Sequence, residues 1–181
     1  MTPGRIVLLT GPAAAGKSTL ARALAERREQ AVVIPVDDLR EWVVSGMADA
    51  GGEDLDKVRR QFAIAHKHAA LLAIDHAEGG FDVFIDASIP PPAIPRDLLP
   101  HLQGWSLTIV AITPTPEATA ERNSDRTTKR PEIQEMLAGW IPKVCVTWRT
   151  HAFPADWIVL DTSALSVEES VAALEERLAG S

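Results

Sequence analysis

Residues Gly11-Pro12-Ala13-Ala14-Ala15-Gly16-Lys17-Ser18-Thr19 follow the pattern G-x-x-x-x-G-K-[ST], and the chain on either side gives that pattern physical meaning. Before it, Arg5 to Thr10 is short and apolar, as a buried strand would be. After it, Leu20 to Arg28 is built of strong helix formers with helical spacing. In a strand–loop–helix setting the loop N–H groups and the positive helix end converge on a phosphate. Gly11, Ala13, Ala14, Ala15 and Gly16 would form that cradle, with Thr19 closing it at the start of the helix. Lys17 would reach the β- and γ-phosphates and the Ser18 hydroxyl would hold Mg2+. The expected ligand is a nucleoside triphosphate.

Composition narrows the setting. At 181 residues the chain suits one domain, over 1–181, with a substantial core. Its 46% hydrophobic and 24% charged residues are ordinary for a globular protein. The one cysteine, Cys145, excludes an internal disulfide and suits a buried thiol in a reducing compartment. No apolar run approaches the roughly 20 residues of a membrane helix. Met1-Thr2-Pro3-Gly4 leads directly into the first strand, leaving no room for a signal peptide. These points predict a cytoplasmic protein with no membrane and no evident obligate protein partner. A net charge of −7 lacks the broad basic surface that drives sequence-independent nucleic-acid binding. Recognition of a strand end by a local basic patch stays open.

Strands and helices alternate along the chain, the pattern of a parallel sheet covered on both faces. Ala31–Val36 reads as a second strand, and its proline argues against a central place. Asp38 to Val44 reads as a short helix, followed by a polar, Gly-rich loop from Gly46 to Asp54. Leu55 to Glu78 reads as a long helix with a stripe at Val58, Phe62, Ala65, Ala69, Leu72 and Ile74. Phe81–Asp86 is a third strand, and five prolines between Pro90 and Pro100 make a stiff connection around a short helix. Trp105–Ile112 is a fourth strand, and Pro116 opens a helix where proline is favoured. Glu132–Arg149 is a helix, Trp157–Leu160 a fifth strand and Val167–Leu178 a closing helix. Ser166 and Glu169 form a capping box at its start.

Open α/β sheets bind ligands at the carboxyl ends of their strands, and four groups fall there. In Asp37-Asp38-Leu39-Arg40, an acid can accept a proton from a hydroxyl that attacks the γ-phosphate. The arginine can hold an anionic part of the acceptor. One of the two aspartates can equally be a helix N-cap. Asp86 ends the third strand, where an acid supports Mg2+ directly or through water; Ser88 either touches the acceptor or caps a turn. Arg122, Arg126, Lys129 and Arg130 form a basic run, either a lid over ATP phosphates, around 122–131, or a solvated face. His66, His68 and His76 lack a metal-ligand spacing and read as exposed or partly buried helix residues. The tryptophans read as core, with Trp42 near enough to Asp37–Arg40 to line an acceptor pocket.

The loop Gly11–Thr19, Asp37-Asp38-Leu39-Arg40, and Glu121-Arg122-Asn123-Ser124-Asp125-Arg126 with Thr128-Lys129 behind it resemble the kinase domain of bacteriophage-type polynucleotide 5′-kinases. More broadly they resemble the P-loop kinase-like group that includes chloramphenicol phosphotransferases and zeta toxins. The match covers roughly residues 4 to 150 in order and spacing, and Asp-Asp-x-Arg and Arg-Asn-Ser-x-Arg are its most specific parts. The resemblance implies a three-layer α/β P-loop NTPase domain with a parallel five-stranded sheet in the order 2-3-1-4-5. It implies an ATP- and Mg2+-dependent kinase with Asp37 as general base, Arg40 on an acceptor phosphate, and Lys17, Ser18 and Arg126 on the transferring phosphoryl group. The acceptor would be a nucleic-acid 5′ end, a nucleotide-like molecule or a small alcohol such as an antibiotic. A P-loop NTPase or switch acting through a partner is the alternative.

Overall fold

The computed structural model describes residues 2–48, 54–125 and 131–180. Five strands, β1 (Ile6–Thr10), β2 (Ala31–Pro35), β3 (Asp82–Ala87), β4 (Leu107–Ile112) and β5 (Ile158–Leu160), make one sheet in the order β2-β3-β1-β4-β5. Every pairing is parallel. The expected fold class and strand order both hold. Central β1 is buried along its whole length, which is why it reads as an unbroken apolar run and not an alternating one. β2 lies at the edge, where the missing N–H of Pro35 costs the ladder nothing on its open side.

The helices are α1 (Lys17–Ala25), α2 (Val36–Glu41), α3 (Leu55–Glu78), α4 (Ile94–Asp97), α5 (Pro116–Ser124), α6 (Pro131–Arg149) and α7 (Val167–Ala179). Short 3-10 turns at Pro91–Ala93 and Leu99–His101 flank α4 and spend the prolines of that connection. The sheet divides two cores. Ile6 and Leu8 face α3 and the Ile89–Leu102 connection, while Val7 and Leu9 face α1 and α7. Asp54 caps α3 by accepting from the Lys57 N–H at 2.9 Å, and Ser166 and Glu169 form the expected capping box on α7.

Several readings change. The short helix starts at Val36 and ends at Glu41, so Val36 leaves β2 and the N-cap position is Pro35. Neither aspartate is therefore an N-cap; both sit in the first turn of α2, where negative charge suits the helix dipole. The buried face of α3 is Ala65, Ala69, Ala70, Ala73 and Ala77, while Val58, Phe62, Leu72 and Ile74 are only partly buried. The expected stripe catches this face at Ala65 and Ala69 and borders it at Leu72 and Ile74, which pack against the core, but it leaves out Ala70, Ala73 and Ala77: a long helix lying close on a sheet needs small residues beneath it. Of the tryptophans only Trp148 is buried; Trp42 and Trp140 are each more than half exposed.

His66 changes as well. It lies within that alanine face, 4% exposed, with its ring 5.9 Å from that of Phe62. Its Nδ1 finds no hydrogen-bond partner among the described residues. Burial draws its pKa down from 6.5 to about 4; Arg96 and Arg40 add to the fall and Asp97 opposes it. Between those values the unfolded chain binds more protons than the folded one, so stability rises with pH across this window and falls on acidification. Lowering the pH from 7.5 to 5 is expected to cost about 2 kcal/mol through this residue. Urea denaturation of the parent and of His66→Leu at both pH values checks it: the variant should lose that part of the pH dependence.

Candidate functional site

The phosphate loop leaves β1 at Gly11. A β-carbon on Gly11 would stand 2.5 Å from the Ile112 carbonyl oxygen, so no larger residue passes the end of β4 there. Ala14 (φ 59°) and Gly16 (φ 94°) both adopt left-handed backbone. For Ala14 this is a strained conformation of the kind that collects at functional sites. Gly16 occupies the N-cap of α1 without a side-chain cap, and the first turn of α1 holds no acid. The helix start is thus uncapped by its own side chains and electropositive, as anion binding requires. Lys17 is 7% exposed, and its Nζ donates to the Pro12 carbonyl at 2.9 Å, folding the side chain across the loop. Ser18 and Thr19 are exposed beside it.

A cleft of about 560 Å³ runs from this loop to the β5–α7 connection, lined by Lys17, Ser18, Thr19, Arg122, Thr162 and Leu165 among others. That volume accommodates a nucleotide-sized ligand. Arg122 is fastened at its tip. Its guanidinium donates to the Ala15 carbonyl (3.3 Å), the Thr162 hydroxyl (3.1 Å) and the Thr162 carbonyl (2.6 Å). It therefore ties the phosphate loop to the chain beyond β5. Its neighbour Asn123 is buried, and its side-chain amide donates to the Gln134 carbonyl while Gln134 returns a bond to the Asn123 carbonyl, both at 3.1 Å. This bracket joins α5 to α6. Nothing in the charged run marked Asn123 as structural, since its partner lies eleven residues on and shows no periodic signal. Arg126 and the rest of 126–130 lie outside the described residues.

The other half of the site follows from strand adjacency. β2, β3 and β1 are neighbours, and Asp86 stands in register with Leu9 on one side and Pro35 on the other. Asp86, 8% exposed, thus lies between the strand that feeds the phosphate loop and the strand that feeds Asp37. The Thr10 hydroxyl donates to the Ile89 carbonyl at 2.9 Å, holding the segment after β3, with exposed Ser88, against the end of β1. Asp37 and Asp38 are exposed on α2. Arg40 stacks 3.9 Å above the Phe62 ring and donates to the Ala48 carbonyl at 3.2 Å, while its buried Nε finds no partner among the described residues.

Gln61 secures the same segment: its carbonyl accepts from the Ala48 N–H (2.7 Å) and its amide donates to the Gly46 carbonyl (2.9 Å). A small pocket of about 130 Å³ opens beside Arg40, walled by Leu39, Trp42, Val43 and Ile64. Phe62 and Gln61 were absent from the candidates read in sequence. Phe62 was legible only as one apolar position of a helix, and Gln61 carried no signal at all.

A family model described as AAA domain matches residues 6–139. No curated protein matches the sequence. Among solved structures, the APS kinase of Mycobacterium tuberculosis in complex with AMPPNP and APS is 21% identical, covering 99% of each chain with a TM-score of 0.67. The tunicamycin resistance protein of Deinococcus radiodurans is 16% identical, with 97% of this chain and 95% of that one covered and a TM-score of 0.68. Shikimate kinase from Bacteroides thetaiotaomicron is 18% identical, with 97% and 98% covered and a TM-score of 0.63. At these identities the likeness is one of fold.

The Gly11 contact is directly testable. Gly11→Ala should force the loop away from Ile112, costing roughly 1–3 kcal/mol as overpacking does. It should also weaken nucleotide binding. Thermal melting and titration with an ADP analogue check both, and an unchanged affinity would contradict the loop assignment.

Proposed function

The chain belongs to the AAA domain family AAA_33, and we propose that it is an ATP-dependent kinase, transferring the γ-phosphoryl group to a hydroxyl acceptor. The observation that carries the proposal is the convergence of three chemically distinct groups behind three adjacent strands. These are a phosphate loop with its lysine after β1, an acid–arginine pair on α2 after β2, and a buried strand-end acid, Asp86, on β3. Phosphoryl transfer asks for little more than positioning and charge stabilisation, which such a set supplies.

In this reading Lys17 and the backbone of Gly11–Thr19 hold the β- and γ-phosphates, and the segment around 122–131 acts as a lid carrying Arg126. The exposed Ser18 hydroxyl and the Asp86 carboxylate are hard oxygen donors suited to Mg2+. Bound there, the ion would neutralise charge on the transferring group. Asp37 accepts the proton of the acceptor hydroxyl, whose oxygen bonds to the γ-phosphorus as the bond to the bridging oxygen breaks and ADP leaves. Arg40 holds an anionic or polar part of the acceptor. The acidic net charge and the modest pocket beside Arg40 favour a small molecule or nucleotide-like acceptor over a long strand. The relatives of similar fold include kinases of APS and shikimate, which agrees with small acceptors. A screen with γ-labelled ATP against 5′-OH oligonucleotides, nucleosides and small alcohols tests the proposal. Acceptor-independent hydrolysis alone would favour an NTPase switch.

Two sets of variants probe the roles. Lys17→Ala should lower kcat about 10²–10³-fold, as expected for loss of a transition-state charge contact. Asp37→Asn should lower kcat roughly 10²–10⁴-fold with little change in ATP affinity. Asp38→Asn should be far milder, and the opposite ranking would move the base to Asp38.

Arg40→Ala should discriminate among acceptors. With an anionic acceptor, loss of a charge-assisted bond should cost roughly 1.5–3 kcal/mol in kcat/KM. With a neutral alcohol the change should be small. Equal losses on both would show that Arg40 acts only through its packing on Phe62 and its bond to Ala48.

A further inference from the structure

The far wall of the nucleotide cleft rests on thin support. β5 has three residues and pairs with β4 alone, at Val110, Ala111 and Ile112. From β5 the chain turns through 161–165 into α7, and this stretch gives the cleft Thr162, Leu165, Ser166, Val167 and Ser170. Side chains that do not line the cleft hold the turn in place. The Asp161 carboxylate accepts from Arg149 Nη1 at 2.6 Å and from the Ser163 N–H at 2.9 Å, and it also accepts from the Ser163 hydroxyl. The same Arg149 Nη1 donates to the Thr113 carbonyl at 2.7 Å, just beyond β4. Ser163 Oγ accepts from the Thr115 N–H at 2.7 Å, at the N-cap of α5.

One ion pair thus joins the end of α6, the β4–α5 connection and the β5–α7 turn. Burial alone would raise the Asp161 carboxyl, but the bonds from Ser163 and Arg149 outweigh it and hold the group below its ordinary range. The pair is partly exposed, with 36% and 45% of its side chains accessible, and exposed pairs add little to stability. Its consequence is positional. Arg122, which reaches Thr162 from the phosphate-loop side, is the only other described side chain that donates to this turn from across the cleft.

We propose that Arg149 and Asp161 are nucleotide-positioning residues: their ion pair sets the β5–α7 turn at the distance from the phosphate loop that the sugar and base of the bound nucleotide require. The inference rests on the nucleotide reading of the cleft given above. Neither residue touches the reacting atoms, so the effect falls on binding and leaves the chemical step alone.

The test combines the affinity of a fluorescent ADP analogue with the steady-state kinetics of phosphoryl transfer. Asp161→Asn and Arg149→Gln should each weaken the analogue and raise KM for ATP about tenfold, with kcat at saturating ATP within about twofold. The double variant should be no worse than either single one, as for two halves of one device. Arg149→Lys, which keeps the charge but shortens the reach of the single donor nitrogen that makes both bonds, should recover part of the affinity. Ser163→Ala leaves the ion pair in place and should shift KM in the same direction. It serves as the reading if a charge variant fails to fold. Unchanged analogue affinity in the variants, or a fall in kcat at constant KM, would overturn the positioning role. Absence of nucleotide binding by the parent protein would overturn the nucleotide reading and this inference with it.

Discussion

Where β1 ends, Gly11 passes so close to the Ile112 carbonyl that a β-carbon would lie 2.5 Å from the oxygen. That contact locks the turn out of the central strand to the neighbouring strand β4. The left-handed residues Ala14 and Gly16 then curl the loop so that α1 starts at Lys17 with its amide end uncapped by side chains. Everything proposed for the site depends on this placement. Lys17, the Arg122 tie to Ala15 and the cleft beyond it all hang on the loop, and Asp86 lies one strand away in register with Leu9.

Five arginines of this acidic chain tie back onto its own main chain. Arg5 donates to the Leu178 carbonyl, Arg40 to Ala48, Arg122 to Thr162, Arg149 to Thr113 and Arg177 to Val159. Each guanidinium satisfies a main-chain carbonyl at the end of a strand or helix or in a loop, which the rigid fork of arginine does better than lysine. These ties are where the edges of the sheet meet the helices, so they bear on the positions of the loops that form the cleft.

The two sides of the site are built differently. The phosphate side is backbone, held by steric contact and by the start of a helix. The proposed acceptor side is side chains, held by stacking of Arg40 on Phe62 and by the two bonds of Gln61 to the segment after α2. A backbone cradle serves any nucleotide, whereas a side-chain pocket is free to change with the acceptor.

Local chemistry alone determined the elements: the short apolar run of β1, the loop pattern at Gly11–Thr19, Pro116 at the head of α5, and the capping box at Ser166 and Glu169 all depend on neighbours in the chain. Strand order was not legible in that way, and came instead from a resemblance carried by a few motifs. Tertiary structure decided what depends on distant partners. The alanine face of α3 became the core because the sheet lies close beneath it, and burial there turned His66 from an ordinary helix histidine into one held neutral down to a pKa of about 4. Asn123, read as part of a charged lid, is a bracket to Gln134, and Arg122 is a tie to Thr162 forty residues away. Asp161 and Arg149 carried no motif at all. Spacing along the chain reports hydrogen bonds within a turn or a helix, but a side chain that reaches across the sheet finds its partner only when the strands have been ordered.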